Sequence, residues 1–303
     1  MIRPMKGAQV EIDQFHLLRM PLYAFPKIDG FRAVLSHRPL TSRLSPFPNV
    51  HFDRELSKIF KEPLLDSEAV VGSRRGEGVL GRTSRGLTSK DGEPDFHLWC
   101  FDTPQLGYRY EDRLQLTRRI IRDIDHPRVH FLKPKLIESL DELEEYLERR
   151  LEMGYEGIML RSLDGPYKFG KSTLREQWML KVKPFEDFEA RIKGYFEEEE
   201  NTNEAKREAT GKLKRSSAKA GKVPKGTLGG FIGDELDSKG KPTGVEVRVG
   251  GGFTAAQRKA FWAIRDELVA TGAIMKCKKQ KMGQKDKPRH PGFMSLRPEW
   301  DLG

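Results

Sequence analysis

The chain has little of what would tie it to an oxidising compartment, a metal framework or a membrane. Two cysteines occur in 303 residues, Cys100 and Cys277, far apart and without metal-ligand spacing. That argues against a disulfide scaffold or a zinc site and suits a reducing compartment. No apolar run approaches the roughly 20 residues needed to span a bilayer. The opening Met-Ile-Arg-Pro-Met-Lys is followed by no apolar core, so no secretory signal is expected. The expectation is a soluble, intracellular protein with no membrane partner, cytoplasmic in a prokaryotic or phage setting.

What the chain has in quantity is charge: 33% of its residues are charged, and the formal net charge is +10. Such an excess favours an anionic partner, although many soluble basic proteins bind none. The length accommodates one large domain or two ordinary ones.

Up to about residue 185, strand and helix patterns alternate. Glu68–Val71, Leu98–Phe101, Gly157–Leu160 and Trp178–Lys183 read as short strands bounded by turn residues. Leucines at 140, 143, 147 and 151 place one apolar face on a helix over Glu138–Glu152, which needs no role beyond packing. After Pro184 the pattern changes. Phe188–Tyr195, Leu228–Leu236 and Gly244–Val249 read as strands, and Phe293–Arg297 as a last one. Thr254 and Gln257 form a capping-box pair for a helix to about Ala270. Short strands plus one helix fit a small barrel of the OB type. The expected boundary lies near 184–189, giving domains 1–188 and 189–303.

Residues 197–229 look unable to pack. They open with four glutamates, and from Lys206 to Lys225 there are eight Lys/Arg and one acid. Composition alone predicts a disordered loop; the alternative is an arm that orders on DNA phosphates as counterions leave. A second run, Lys276 to Arg289, has seven Lys/Arg and one acid. Either run alone is ordinarily a solvated face, but two in one small domain shift the balance toward nucleic acid.

The stretch with most chemistry in it is Lys27-Ile-Asp-Gly-Phe-Arg32. A lysine attacks phosphorus only as a free amine, so it needs nearby cations or a metal to lower its pKa. Asp29 and Arg32 supply a hydrogen-bonding partner and a phosphate or ribose contact within reach of Lys27. A surface turn with ordinary charges is the alternative. Other charges lie on or beside predicted strands: Glu68, Glu156, and the pair Lys181 and Lys183, which share one strand face. Paired lysines on an inward face need anions, and a triphosphate is a natural one. A carboxylate such as Glu156 suits magnesium, which prefers oxygen ligands and bridges phosphates. Phe101, at a strand end, can stack on a base. A salt bridge or a core aromatic would account for each of these taken singly.

Taken in order, these segments resemble the covalent nucleotidyltransferase superfamily of ligases and capping enzymes. Within it, the likeness is nearest to the minimal ATP-dependent DNA ligases of large algal (Chlorella) viruses. Lys27–Arg32 is similar to the nucleotidyl-lysine motif, and Leu40-Thr-Ser-Arg43 to the motif whose arginine contacts the nick phosphate. Asp66-Ser-Glu68 resembles Asp-Gly-Glu, with serine where glycine is usual. Cys100-Phe-Asp102, Glu156-Gly-Ile-Met-Leu-Arg161 and Leu180-Lys-Val-Lys183 are similar to the adenine-stacking, metal-site and phosphate-lysine motifs. In the second half, Asn201-Thr-Asn203, Lys214-Arg-Ser216 and Gly221-Lys-Val223 resemble the latch loop that such ligases insert into DNA at a nick. Gly252-Phe253, Phe261-Trp262 and Met282-Gly283 match as well. Pro288–Phe293 with Arg297 resembles the last motif, but the family's terminal acids and arginine are replaced here by Pro-Glu-Trp-Asp-Leu-Gly.

The resemblance implies an α+β fold. A nucleotidyltransferase domain of antiparallel sheets and flanking helices would be followed by an OB barrel with a latch inserted at about 197–229. It implies sealing of nicks in duplex DNA with ATP and magnesium (or manganese), by a monomer that encircles its substrate. Lys27, Asp29, Arg32, Lys181 and Lys183 would be catalytic. Glu68 with Arg32 would hold the ribose, Phe101 the adenine, and Glu156 with Glu68 the metal. Arg289 and Arg297 would orient pyrophosphate. Arg43, Lys206, Arg207, Lys212, Lys214, Arg215, Lys219 and Lys222 would contact DNA. ATP rather than NAD is expected because only 26 residues precede Lys27, too few for a nicotinamide-binding domain. A capping guanylyltransferase is opposed by Ser42-Arg43, by glutamate at 156 and by the latch-like loop. An RNA ligase is opposed by the latch and OB likeness, and a silent nick-binding protein by the intact lysines and acids.

Overall fold

A computed structural model describes residues 3–59, 64–207, 213–284 and 287–297, the side chains of 280–284, 287 and 289 excepted. The chain is a mixed α+β structure of two compact units: among the described residues, those up to Pro184 together with Arg207 form the first, and the others from Phe185 on form the second.

The first unit contains two five-stranded sheets. One runs in the order Ala8–Gln9, Leu180–Val182, Gly157–Ser162, Leu22–Lys27, Lys135–Ile137. Its two faces follow from the two-residue period of a strand. Leu22, Ala24, Ile158, Leu160, Leu180 and Val182 pack against Leu143, Tyr146 and Leu147 of the helix Leu140–Glu152. That helix starts two residues later than expected because Ser139 caps it, its hydroxyl accepting from the Glu142 N–H at 3.2 Å. Such a cap is worth about 1 kcal/mol. Phe25, Met159 and Lys181 fall on the other face, in register across three strands, with Lys27 two residues beyond Phe25 and opposite Gly157.

The second sheet runs Pro39–Thr41, Phe31–Leu35, Leu65–Val71, Phe96–Asp102, Val129–Phe131. Ala33, Leu35, Leu65, Ala69, Phe96, Leu98 and Cys100 turn into a core shared with Phe52, Leu56, Leu87, Ile120 and Ile121 of three helices. The alternate positions, Arg32, Glu68, Trp99 and Phe101, are left on the opposite face. Both sheets line one cavity of about 300 Å³.

In the second unit five antiparallel strands run in the order Pro242–Val249, Lys222–Leu236, Phe185–Asn201, Ile274–Gln284, Lys287–Leu296. Phe188, Ile192, Phe231, Val247, Met275 and Phe293 form its core. The ladders make an open sheet, whose edges meet at one isolated bridge, Gly251 with Gly292. The expected helix to Ala270 is two helices, Ala255–Ala263 and Arg265–Ala270. Ile264 between them has φ −110° and ψ 14°, outside the helical range, which breaks the hydrogen-bond ladder there.

The stretch 197–229 departs most from what its composition predicts. Instead of lacking structure, its described residues form a β arm. Glu199, Glu200 and Asn201 pair with Pro224, Val223 and Lys222, and Ala205–Arg207 pairs with Leu213–Arg215. Composition failed because the arm is held by polar groups rather than by a core. The Asn203 amide donates to the carbonyls of Ser216 and Ala218 at 3.1 and 2.8 Å, and the Thr202 N–H donates to Gly221 at 2.7 Å. A Cβ on Gly221 would stand 2.3 Å from the Asn203 side-chain oxygen.

Candidate active site and basic arm

Lys27 ends its strand, and the turn that follows is set by Gly30. A Cβ there would lie 2.4 Å from the Ala69 carbonyl oxygen, so only glycine lets the turn press against the neighbouring strand. Lys27 Nζ donates to Glu156 Oε2 at 2.5 Å, and Lys183 donates to the other oxygen of the same carboxylate. Gly157 makes this possible. Its φ is +149°, and a Cβ would sit 2.1 Å from the Val182 carbonyl oxygen, so the strands carrying Glu156 and Lys183 approach closely only with glycine present.

The electrostatics follow from one carboxylate shared by two ammoniums in a half-buried place. Burial alone would raise the Glu156 carboxyl, but Lys27 and Lys183 bring it below its ordinary range. Burial lowers Lys183, and Lys27 adds to that by repulsion; Glu156 restores only part. Lys181 is lowered by burial and by the charges of Lys27 and Lys171. Glu68 is pushed up to about 7 by burial, which Lys27 and Arg32 only partly offset, with Glu156 and Asp66 adding to the rise.

On the facing sheet Arg32 and Glu68 sit directly opposite each other on adjacent strands. Arg32 makes a two-pronged pair with Asp66, its Nε at 2.7 Å from Oδ1. Asp66 is buried and also accepts from the Tyr167 hydroxyl at 2.8 Å, while the Met5 carbonyl accepts from Arg32. The Arg32 guanidinium lies 5.7 Å from the Phe101 ring centre. Lys27, Arg32, Glu68, Phe101, Lys181 and Lys183 all line the same cavity, as does Ser42.

A buried acid requires partners, and the second one is Asp102. Arg113 Nε donates to Asp102 Oδ1 at 2.9 Å, and Arg161 donates to its other oxygen. Asp66, Asp102 and Arg161 stand within the quoted motifs, yet their roles were not read from them. An acid on an apolar strand could have raised the question. Tyr167 and Arg113 give no local signal in the sequence.

The remaining expected residues lie elsewhere. Asp29 is half-buried in the turn after Lys27. Arg43 is exposed in the turn Thr41–Ser45, its N–H bonded to the Thr41 hydroxyl at 3.3 Å. Arg297 pairs with Glu189 at 3.2 Å inside the second unit. Lys206, Arg207, Lys214, Arg215, Lys219 and Lys222 are exposed along the arm. Arg215 donates to the Asn203 carbonyl, and Lys222 lies 3.5 Å from Glu199. Lys212 and the Arg289 side chain lie outside the described residues. Among the described residues there is no cluster of three or more His, Cys, Asp or Glu suited to a metal, and no helix is long and apolar enough to cross a membrane.

Residues 12–183 match the family model of the ATP-dependent DNA ligase domain. Among solved structures, the adenylated Chlorella virus DNA ligase matches with a TM-score of 0.54 and 27% identity, over 97% of this chain and 99% of that one. A second structure of adenylated Chlorella virus DNA ligase gives 0.52 and 28%, over 98% and 99%. A Lig E DNA ligase, described as binding DNA with a minimal scaffold, gives 0.69 and 21% over 98% and 100%, a likeness of fold. No curated protein matches this chain significantly.

Proposed function

This chain belongs to the ATP-dependent DNA ligase family, and is thereby an enzyme that forms phosphodiester bonds; we propose that it seals 3′-hydroxyl/5′-phosphate nicks in duplex DNA through a lysyl-AMP intermediate. The observation that carries the reading is Lys27, 2.5 Å from Glu156, in a cavity whose other polar lining includes Arg32, Glu68, Lys181 and Lys183 beside Phe101.

In the first step the Lys27 amine attacks the α-phosphorus of ATP. The bond to pyrophosphate breaks, an N–H proton is lost, and a phosphoramidate remains. Lys181 and Lys183 are fixed cations beside that amine and stabilise charge on the transferring phosphate. Arg32, held by Asp66, and Glu68 would take the ribose, and Phe101 would stack on adenine. An oxygen of the nick's 5′-phosphate then attacks the same phosphorus and Lys27 leaves. Finally the 3′-hydroxyl attacks the 5′-phosphate and AMP departs. Arg43 would position the nick phosphate, while Arg289 and Arg297 would orient pyrophosphate.

Glu156 and Glu68 would hold magnesium (or manganese). Glu68 lines the cavity and Glu156 is bonded to two lysines that line it, and carboxylate oxygens are the donors this ion takes when phosphates complete its shell. When bound it supplies neutralisation of charge on the transferring phosphate. The arm would close over duplex DNA as the family's latch does, on an OB-type second domain at 189–303, with the monomer encircling its substrate.

The test is sealing of a 5′-labelled nicked duplex with magnesium and ATP, read on a denaturing gel, together with Lys27→Ala. A longer strand and its loss in Lys27→Ala support the reading. Labelled enzyme–AMP on the alanine variant would sink it, and labelling by GTP in place of ATP would turn it toward a guanylyltransferase.

A further inference from the structure

One row of side chains crosses four strands of the second sheet in register: Arg32 opposite Glu68, Glu68 opposite Trp99, Trp99 opposite His130. All four lie on the cavity-facing side. Neighbouring strands stand about 4.8 Å apart, so Trp99 is one strand away from Glu68.

Arg74 lies on that tryptophan. Its guanidinium carbon is 3.7 Å from the Trp99 ring centre, and His130 stacks on Trp99 at 4.4 Å with the ring planes 24° apart. The same guanidinium is 5.9 Å from the ring of Tyr155, which immediately precedes Glu156. Arg74 therefore stands between the tryptophan beside Glu68 and the tyrosine that precedes Glu156.

The loop carrying Arg74 is fastened down. The Gly76 N–H donates to the Gly154 carbonyl at 2.9 Å, and a Cβ on Gly154 would stand 2.8 Å from the Gly76 nitrogen. Arg82 donates to the carbonyls of Glu77 and Ser73 at 2.8 and 3.3 Å. Arg32, Arg113 and Arg161 are all spent on buried carboxylates. Among the described residues, Arg74 makes no hydrogen bond or ion pair. A half-buried guanidinium, oriented on an aromatic face with its donors unspent, is built for an anion with oxygens in one plane. Arg75 is exposed on the same loop and Arg85 on the helix that follows, which suits a phosphodiester backbone rather than a single small anion.

We infer that Arg74, held on Trp99, is a further substrate-binding residue of the site and takes a phosphate of the nicked DNA strand. The inference rests on the nick-sealing reading above. The experiment compares Arg74→Ala and Arg74→Lys with the parent, all pre-adenylated, for binding to a nicked duplex over a series of salt concentrations, with labelling by ATP measured alongside. Losing one phosphate contact flattens the plot of log affinity against log salt by about 0.9. The expected result is that smaller slope in Arg74→Ala, at least a fivefold weaker complex, and a much smaller change in labelling. Arg74→Lys keeps the parental slope but binds less tightly, because the charge remains without its platform. An unchanged slope in Arg74→Ala overturns the inference, and so does an equal loss of labelling, which would give Arg74 to the nucleotide or to the fold. A parent that neither binds nor seals nicks overturns the ligase reading itself and the inference with it.

Discussion

Asp102 ends a strand of one sheet and Arg161 lies on a strand of the other, and the two form an ion pair with at most 2% of either side chain exposed. Arg113, equally buried, takes the second oxygen of Asp102 and donates as well to the carbonyls of Tyr108 and Gly165 at 2.6 and 3.0 Å. One acid and two arginines thus join two sheets whose apolar faces turn away from each other.

Asp102→Asn leaves two buried guanidiniums without a full negative partner. Removing one member of a buried pair costs about 3–5 kcal/mol. At about 2–4 °C per kcal/mol for a unit of this size, the first melting transition is expected to drop by roughly 10 °C. Calorimetry checks this, and a drop below about 3 °C would show that other contacts hold the sheets.

Gly157→Ala tests the close approach behind the lysine pair. The added methyl must push the Val182 carbonyl away and carry Lys183 from Glu156. A displacement of about 1 Å at a reacting centre costs on the order of a hundredfold in rate. Enzyme–AMP formation is expected to slow by about that factor while the second unit's fold, read by hydrogen exchange, is unchanged. Labelling at the parental rate would mean the strands tolerate the side chain.

Deleting residues 203–226 should weaken nick binding far more than labelling of Lys27. The arm belongs to the DNA step in this reading, and Lys27 belongs to both. Equal losses in a gel-shift assay and a labelling assay would remove the arm from DNA recognition.

His130 makes stability depend on pH. Burial, the neighbouring His97 with its Nδ1 at 3.0 Å, and Arg74 hold it below the ordinary histidine range. An unfolded histidine titrates near 6.5. As pH falls through about 6.5 the unfolded chain gains a proton that the folded chain refuses, so stability falls until the folded pKa is passed and then levels off. Urea midpoints at pH 7.5 and 5.5 should differ more for the parent than for His130→Gln. An equal difference in both would place the acid sensitivity elsewhere.

How much was legible in the sequence depended on how local the cause was. Lys27, Arg32, Glu68, Phe101, Lys181 and Lys183 were readable because each lies in a short strand-edge motif, and the structure brings all six to one cavity. The partners that fix them were not readable. Asp102 and Arg161 are 59 residues apart, and Asp66 and Tyr167 are 101 apart, so nothing local records the pairing. The arm misled for a different reason. A composition rule asks whether enough apolar surface can be buried, whereas Asn203 and Thr202 hold this segment by hydrogen bonds to its own backbone. The helix after Thr254 was located by its cap but not its break at Ile264, which no proline or glycine announces.

The single carboxylate between Lys27 and Lys183 leaves a charge deficit. Two ammoniums share one negative group, and Lys181 beside them has no carboxylate partner among the described residues. The ammoniums of Lys27, Lys181 and Lys183 thus outnumber the carboxylates of Glu156 and Glu68 about the cavity, which suits it to a further anion. A polyphosphate entering there is part of the structure's charge balance as well as its substrate, and the free energy of its binding is added to that of folding.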